Sequence, residues 1–119
     1  MEKVNLSDKL SLFTEYWSPR IVAQLNGQHV KVVKLRGEFV WHHHEREDEL
    51  FLVLKGRLTI ELRDRAVTLE PGEFFVVERG VEHKPVAEEE VHVLLFEPAG
   101  TVNTGNVQDE RTIRAPERI

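Results

Sequence analysis

The sequence predicts an all-β fold, a sandwich or barrel built from about eight short strands. Runs of apolar and β-branched residues, roughly four to eight residues long, alternate with turn residues such as Gly, Pro and Asn. No stretch offers the long amphipathic helices that would connect parallel strands, which argues against an α/β fold. The length of 119 residues suits a single domain.

The first 20 residues do not follow the strand pattern. Apolar side chains recur at approximately helical spacing between Leu6 and Phe13, and Pro19 ends this pattern. We therefore expect a short N-terminal helical or irregular segment. Tyr16 and Trp17 are expected to pack over the outside of the domain.

The strands begin after this segment. They are predicted at 21–25, 30–35, 38–44, 50–54, 58–62, 67–70, 74–77, 84–87 and 91–96. Asn26 and Gly27 both tolerate positive φ, so they predict a tight hairpin. The run 50–54 is apolar on both faces, which indicates a central strand buried on both sides. Three glutamates at 88–90 predict an acidic loop.

One domain spanning residues 1–119 is expected, with a barrel core at about 21–98. The segment 109–119 is a polar tail, and its end is expected to fray.

The composition is typical of a soluble, mildly acidic protein, with 31% charged residues and a net charge of −5. A chain with this net negative charge shows no excess of basic residues of the kind that binds nucleic acid. No apolar run is long enough to cross a membrane and no apolar signal segment opens the chain, so we expect a cytoplasmic location. The absence of cysteine excludes disulfides and thiolate ligands, so a metal site must use histidine or carboxylate side chains.

A cluster of possible metal ligands lies between two predicted strands. His42 and His44 are two residues apart, so on an extended segment their side chains share one face while His43 points to the other. Glu49 opens the next strand after a short loop, where a hairpin can bring its carboxylate beside the two imidazoles. His83 follows a glycine turn at the start of a strand and can face the same cavity.

Imidazole and carboxylate together suit a divalent ion such as Fe, Mn, Zn or Ni. On an octahedral ion, His42, His44, His83 and Glu49 leave about two positions open for substrate, water or dioxygen. The alternative is a solvated histidine-rich loop without a ligand role. Asp48, next to Glu49, is a backup ligand. The two histidines that stand alone in strands, at positions 29 and 92, are interpreted as surface or packing residues.

Alternation along the strands predicts the walls of the site. Val40 lies on the predicted face of the two ligand histidines, and Phe51 and Val53 lie on the face of the ligand glutamate. The resulting cavity is apolar with one polar focus, the usual form of a small-ligand site. The opposite face carries the leucines of the run 50–54. A second sheet or a partner subunit must cover it, and the latter would make a homodimer.

These residues resemble the two motifs of the cupin superfamily. The first motif reads Gly, His-x-His, Glu, Gly, and Gly37, His42, His44, Glu49 and Gly56 follow this order. Four residues separate Gly37 from His42, where the family pattern usually has one more.

The second cupin motif reads Gly, Pro-x-Gly, His, Asn. Gly72, Gly80 and His83 match it, whereas Glu78 replaces the Pro and Ala87 replaces the Asn. The two replaced positions shape the turn and do not bind metal.

The resemblance covers about residues 30–98 and implies a double-stranded β-helix, or jelly-roll, barrel. It also implies His42, His44, Glu49 and His83 as the ligands of a divalent metal ion. Cupins often pair into homodimers and bind a small-molecule ligand. The chain is also similar to small mannose-6-phosphate isomerase-like cupins.

Several functions are compatible with such a site. A metal-dependent enzyme could act on a small polar metabolite, such as a sugar or sugar phosphate, in an isomerase-like reaction with the ion as Lewis acid. That reaction also needs a general base, and no further acid or base is clearly predicted to face inward. The alternatives are an Fe-dependent dioxygenase, a non-catalytic module that binds a sugar or small acid, and a barrel with a vestigial site.

Overall fold

The computed structural model describes all 119 residues and confirms the all-β jelly-roll barrel. One short helix, α1, covers Leu6–Leu10. The strands are β1 (Arg20–Leu25), β2 (Gln28–Glu38), β3 (Glu49–Lys55), β4 (Leu58–Leu62), β5 (Ala66–Leu69), β6 (Phe74–Val77) and β7 (His83–Pro98). All of the strand pairs are antiparallel. No helix is long and apolar enough to cross a membrane.

The longest strand, β7, has 16 residues and joins the two layers of the barrel. Its C-terminal half lies between β2 and β3 in a layer ordered β1-β2-β7-β3-β6. Its N-terminal end pairs with β4, which in turn pairs with β5. His83 at the start of β7 and Glu97 near its end both lie beside Glu49 of β3.

The acidic loop predicted at 88–90 is wrong, because these glutamates continue β7. They are exposed and form a bulge in which only Arg36 of β2 lies opposite them. Three charged residues in succession look like a loop in the sequence, but a bulge on an exposed part of a strand accommodates them equally well.

Apolar side chains that point inward from both layers fill most of the barrel. They are Val33, Leu35, Phe51, Val53, Leu58, Ile60, Leu69, Val77, Ala87, Val91, Val93 and Leu95. Alternate residues of each strand supply this core, as the period-two pattern predicts. Removal of this apolar surface from water is the main favourable term in the stability of the barrel.

The C-terminal tail is docked, so the expectation that its end frays is wrong. The backbone N–H of Ile119 donates to the carbonyl of Ile21 at 3.0 Å, and the N–H of Ile21 donates to the carbonyl of Glu117 at 2.9 Å. Ile119 also packs against a small outer cluster that includes Leu10 and Val32. One apolar residue and the backbone pairing with β1 hold a segment whose composition is otherwise polar.

The extended run predicted at 38–44 is shorter in the structure, because β2 ends at Glu38. Beyond it the chain is irregular up to Glu49, except for an isolated bridge between His42 and His83. Gly37 has a positive φ of 85°, at the point where the ladder between β2 and β7 shifts register. This irregular segment carries two of the predicted ligands.

Candidate metal centre

Four buried side chains converge inside the barrel, namely His42, His44, Glu49 and His83. One possible ligand atom from each lies within 4.8 Å of the others. These are the same four residues that spacing and motif had singled out in the sequence. None of the four is more than 4% exposed, so the cluster is not a solvated loop.

Backbone hydrogen bonds position the histidines. The N–H of His42 donates to the carbonyl of His83 at 3.1 Å, and the N–H of His83 donates back to the carbonyl of His42 at 2.9 Å. The carbonyl of His44 accepts from the N–H of Gly80 at 2.7 Å. The glycine turn before β7 is thereby tied to the irregular segment, and the two imidazole rings of the bridge come to 4.3 Å between centroids.

Two of the imidazoles are oriented by hydrogen bonds to backbone carbonyls two residues earlier in the chain. His42 Nδ1 lies 2.9 Å from the carbonyl oxygen of Val40, and His83 Nδ1 lies 2.9 Å from that of Val81. Because a carbonyl oxygen only accepts, each Nδ1 carries the proton. The lone pair is left on Nε2 of each ring, as in metal sites where the other ring nitrogen is held by a hydrogen bond.

The cluster also contains buried polar atoms without partners. His44 Nδ1, His44 Nε2, Glu49 Oε1 and His83 Nε2 are all buried and make no hydrogen bond. Glu49 Oε1 lies 3.5 Å from Nε2 of both His44 and His83, which is too long for a good hydrogen bond. Buried polar atoms in native proteins are normally satisfied. Unpaired donor atoms that converge in this way fit a divalent cation, and nitrogen and carboxylate oxygen suit Fe, Mn, Zn or Ni.

The protonation states suit metal binding. Burial, assisted by the nearby His83, lowers the pKa of His42 to about 4, so this imidazole is neutral at pH 7. Burial alone would raise the pKa of Glu49, but the imidazoles of His44 and His83, each 3.5 Å from Oε1, outweigh it and hold this pKa well below its usual range. His42 is therefore available as a neutral ligand and Glu49 as an anionic one.

A cavity of about 370 Å³, including its open mouth, adjoins His42 and Glu49. Its walls are largely apolar and come from both layers and from the segments outside the strands. They include Val33, Leu35, Phe51, Leu95, Trp17 and Phe39. None of the 11 lining residues is a lysine or an arginine. Apart from the candidate ligands His42 and Glu49, none of them is an acid or a base.

Of the three predicted pocket residues, one lines the cavity and two do not. Phe51 lines the cavity, whereas Val53 lies in the apolar core and does not reach it. Val40 does not line it either, and Phe39 takes that position. The reason is that strand alternation stops at the end of β2, one residue before Phe39.

Trp17 also corrects an expectation, because it lines the cavity instead of covering the outside of the domain. Its indole stacks on Phe39 with 4.6 Å between ring centroids, and its Nε1 donates to the carbonyl of Arg36. Its φ of 59° is unusual for a bulky residue.

Asn103 is a second cavity residue that the sequence did not indicate. Its side-chain amide donates to the carbonyl of Arg111 and accepts from the backbone N–H of Ile113.

The remaining candidates lie outside the ligand set. His43 points away and pairs with Glu45 at 3.0 Å. Asp48 accepts from the backbone N–H of Arg79 at 2.8 Å and so is not available as a ligand in this arrangement. The two isolated strand histidines, at positions 29 and 92, are not part of the cluster.

Residues 29–97 match the family model for the cupin domain (Cupin_2). The chain belongs to the cupin family. It is 49% identical to a cupin-2 domain containing protein from Shewanella frigidimarina, with a TM-score of 0.79 over 80% of this chain and 93% of that one. It is 31% identical to protein NMB1881 from Neisseria meningitidis, with a TM-score of 0.76 over 82% of this chain and all of that one.

Among curated proteins, this cupin is 33% identical to the uncharacterized protein YdbB of Bacillus subtilis over 64 residues. That match covers 53% of this chain and 57% of YdbB, so it spans little more than half of the relative. The comparisons support the family and the barrel.

A C-terminal loop of the cupin is hydrogen-bonded to the histidine segment, residues 42–44. Asn106 accepts from the N–H of His43 through its side chain at 2.8 Å and donates to the carbonyl of His43 at 3.0 Å. Gly105 lies so close that an added Cβ would stand 2.1 Å from the carbonyl oxygen of His43. Thr104 is fully buried and anchors the loop from within. The position of the two ligand histidines therefore depends on residues about 60 positions away in the sequence.

A second buried polar group of the cupin lies behind Glu49. Lys31 Nζ donates to Glu97 Oε1 at 2.9 Å, and both side chains are 2% exposed. The other oxygen of Glu97 is buried without a hydrogen-bond partner, and the register between β3 and β7 puts Glu49 next to Glu97. Burial and the neighbouring Glu49 raise the pKa of Glu97 well above its usual range. The two carboxyl groups of this cupin thus shift in opposite directions.

Proposed function

We propose that this cupin is a metal-dependent enzyme that binds a small ligand at a divalent ion held by His42, His44, His83 and Glu49. The observation that carries the proposal is the convergence of four buried ligand atoms within 4.8 Å. The candidate ligand atoms of His44, Glu49 and His83 lack other partners, and the cavity adjoins His42 and Glu49. Four protein ligands leave about two positions on an octahedral ion, enough for a ligand with one or two donor atoms.

The cavity supports a ligand that is small and carries an apolar part. Its wall contains the aromatic stack of Trp17 on Phe39, and the amide of Asn103 is already engaged. No basic side chain lines it, so nothing there would compensate the charge of a phosphate group. This argues against a sugar phosphate as the substrate. The ligand would instead place oxygen donors on the ion and its apolar body against the walls.

The same cavity supports chemistry that takes place at the ion. An isomerase needs a general base in reach of the substrate, and apart from the ligands His42 and Glu49 no acid or base lines the cavity. A bound ion would polarise a coordinated oxygen or, if it were iron, allow reaction with dioxygen. The protein side chains bind and orient the ligand and exclude water, and an Fe-dependent dioxygenase fits these roles better than a sugar isomerase.

The proposal is tested by reconstitution of the metal-free protein, without a histidine tag, with Fe²⁺, Mn²⁺, Zn²⁺ or Ni²⁺. We expect one ion per chain in elemental analysis, and loss of that ion in His44→Ala. Oxygen uptake by the Fe²⁺ form with a panel of small carbonyl and aromatic compounds would identify dioxygenase chemistry. Failure of all four ions to bind would overturn the proposal.

A non-catalytic binding module is the second candidate, favoured by the lack of a proton-transfer residue in the cavity. A compound from the same panel would then raise the melting temperature of the metal-loaded protein and be recovered unchanged. Turnover of that compound would decide against the binding module.

We also propose a homodimer, in which two copies pair through the outer face of the layer that contains β3. Six apolar side chains on this face are only partly buried or exposed, and they lie beside one another by strand register. They are Leu50, Leu52, Phe74, Val76, Leu94 and Phe96. In sedimentation velocity we expect a dimer that Phe74→Lys converts to monomer. Ala66→Lys, at an exposed position of β5 in the other layer, should leave it intact.

A further inference from the structure

The buried Lys31–Glu97 pair has no role in the ligand set, yet it lies in the polar part of the barrel. Both side chains are 2% exposed, and their charged atoms are 2.9 Å apart. Removing two charged groups from water costs several kcal/mol per ion, and their attraction often does no more than offset it. Two apolar residues of similar volume would serve packing equally well. A pair kept in this position is therefore better explained by its contact with the metal ligands.

Strand register places the pair behind Glu49. Leu50 of β3 is opposite Phe96 of β7, so the next step of the same ladder brings Glu49 beside Glu97. On the other side of β7, Lys31 of β2 is paired with Leu95, one inward position from Glu97. The three side chains thus form a row across adjacent strands, from Lys31 through Glu97 to Glu49.

The two carboxylate oxygens of Glu97 have different surroundings. Its Oε1 accepts from Lys31, its Oε2 is buried without a hydrogen-bond partner, and the register between β3 and β7 places Glu49 beside Glu97. Lys31 Nζ also lies 3.5 Å from the carbonyl oxygen of Thr101, which helps to hold it. Lys31 therefore fixes the orientation of Glu97, the residue next to Glu49 across the two strands.

We propose that Glu97 is a positioning residue that orients the Glu49 carboxylate toward the metal, and that Lys31 holds Glu97 in place. This inference rests on the proposed metal-binding function. Partners behind ligating carboxylates fix their orientation, and their loss typically weakens metal binding by about 10–100-fold. Lys31 has no contact with the four ligands in this arrangement and acts through Glu97.

The test compares Co²⁺ binding and the visible absorption spectrum of bound Co²⁺ in wild type, Glu97→Leu and Glu97→Gln. We expect Glu97→Leu to weaken Co²⁺ binding by about 10–100-fold and to change the spectrum, because Glu49 loses its support. Glutamine keeps an acceptor for Lys31 and supplies a donor toward Glu49. Glu97→Gln should therefore bind Co²⁺ within about threefold of wild type and recover the wild-type spectrum.

A double variant, Lys31→Met with Glu97→Leu, separates positioning from packing. Apolar replacement of both members of a buried ion pair is often neutral or stabilising, so this variant should fold even if Glu97→Leu alone does not. We expect it to melt close to wild type in the metal-free state and still to bind Co²⁺ weakly. Full recovery of Co²⁺ affinity in the double variant would overturn the inference, because the pair would then serve only the fold.

An exposed ion pair provides the matched control. Arg57 and Glu70 are 2.7 Å apart at the surface, and the variant Arg57→Met with Glu70→Leu should bind Co²⁺ as wild type does. If wild type itself fails to bind Co²⁺, the proposed function fails. If wild type binds it and Glu97→Leu binds it with the same affinity and spectrum, only the inference about Glu97 fails.

Discussion

The interior of the barrel differs at its two ends. At one end, around the turn at Gly56, only apolar side chains meet, and Leu58, Val91 and Val93 are completely buried. At the other end, His83 near the start of β7 and Glu97 near its end both lie beside Glu49. The apolar end has no unsatisfied polar atom, whereas five of the six buried unpartnered atoms belong to the polar end.

This difference indicates that the two ends serve different purposes. Burial of polar groups without partners costs free energy, so the polar end weakens the metal-free fold while the apolar end stabilises it. Substitutions at the apolar end should therefore reduce stability and leave metal binding intact. Substitutions at the polar end should do the reverse.

The largest effect is expected for the ligand histidines. His42→Ala removes a ligand, so affinity for Zn²⁺ or Co²⁺ should fall by more than about 100-fold, beyond the loss typical of outer partners. His43→Ala is the matched control, because His43 is adjacent in sequence but points away to Glu45. Isothermal titration of both variants checks this. Equal loss in His42→Ala and His43→Ala would contradict the assignment of the two faces.

Leu58→Ala examines the apolar end. Its side chain is fully buried, so truncation should lower the free energy of unfolding by about 2–5 kcal/mol. Metal stoichiometry should remain at the wild-type value, as urea unfolding and elemental analysis can show. Leu12→Ala, at a residue 65% exposed, should change stability by less than about 0.5 kcal/mol. A loss of metal in Leu58→Ala under folding conditions would break the distinction between the two ends.

The pH dependence of the metal-free protein reports on His42. Its pKa is about 4 in the folded state, compared with about 6.5 when unfolded. Below about pH 6.5 the unfolded chain therefore binds a proton that the folded chain does not, and the free energy of unfolding decreases as the pH falls toward 4. A difference of this size corresponds to about 3 kcal/mol.

The raised pKa of Glu97 acts in the opposite direction, since its contribution to stability is present at low pH and is lost as the pH rises through its folded-state pKa. Urea unfolding of wild type and His42→Gln between pH 7 and pH 4 isolates the contribution of His42 to the pH dependence of the free energy of unfolding. The decrease should be smaller in His42→Gln by about the amount given above. Parallel curves for the two proteins would show that His42 does not titrate in this way.

The regular strands could be predicted from the sequence because alternation with a period of two determines which side chains face inward. Glu49 and Phe51 are on the inner face of β3 for this reason. The same rule failed at Val40, since the backbone is irregular after β2 and Phe39 faces the cavity. The Asn26–Gly27 hairpin was predictable because both residues have the positive φ that the turn requires.

Other parts of the site come from long-range contacts that leave no local pattern. Trp17 and Asn103 reach the cavity from opposite ends of the chain. Lys31 and Glu97 belong to strands that also carry other charged residues, and only the register between β2 and β7 shows that they meet. In the sequence, a lysine within a strand is equally compatible with an exposed face.

The smallest expected effect distinguishes these long-range contacts from the local ones. In Gly105→Ala the new Cβ would stand 2.1 Å from the carbonyl oxygen of His43 and 3.2 Å from Cδ2 of His42, so the histidine segment must move. Gly100→Ala is the matched control, because both glycines have positive φ but an added Cβ at Gly100 meets nothing within 4 Å. Gly100→Ala should lose about 1 kcal/mol of stability from backbone strain, and Gly105→Ala should lose more, because its Cβ also meets backbone atoms of His43.

Only Gly105→Ala should also weaken Zn²⁺ or Co²⁺ binding, by about tenfold, as expected when a ligand is displaced but not removed. Thermal unfolding of the metal-free proteins and isothermal titration with the metal measure the two effects separately. If Gly105→Ala and Gly100→Ala bind the ion equally well, the C-terminal loop does not position His42. The polar end of the barrel would then be set by the backbone bridge between His42 and His83 alone.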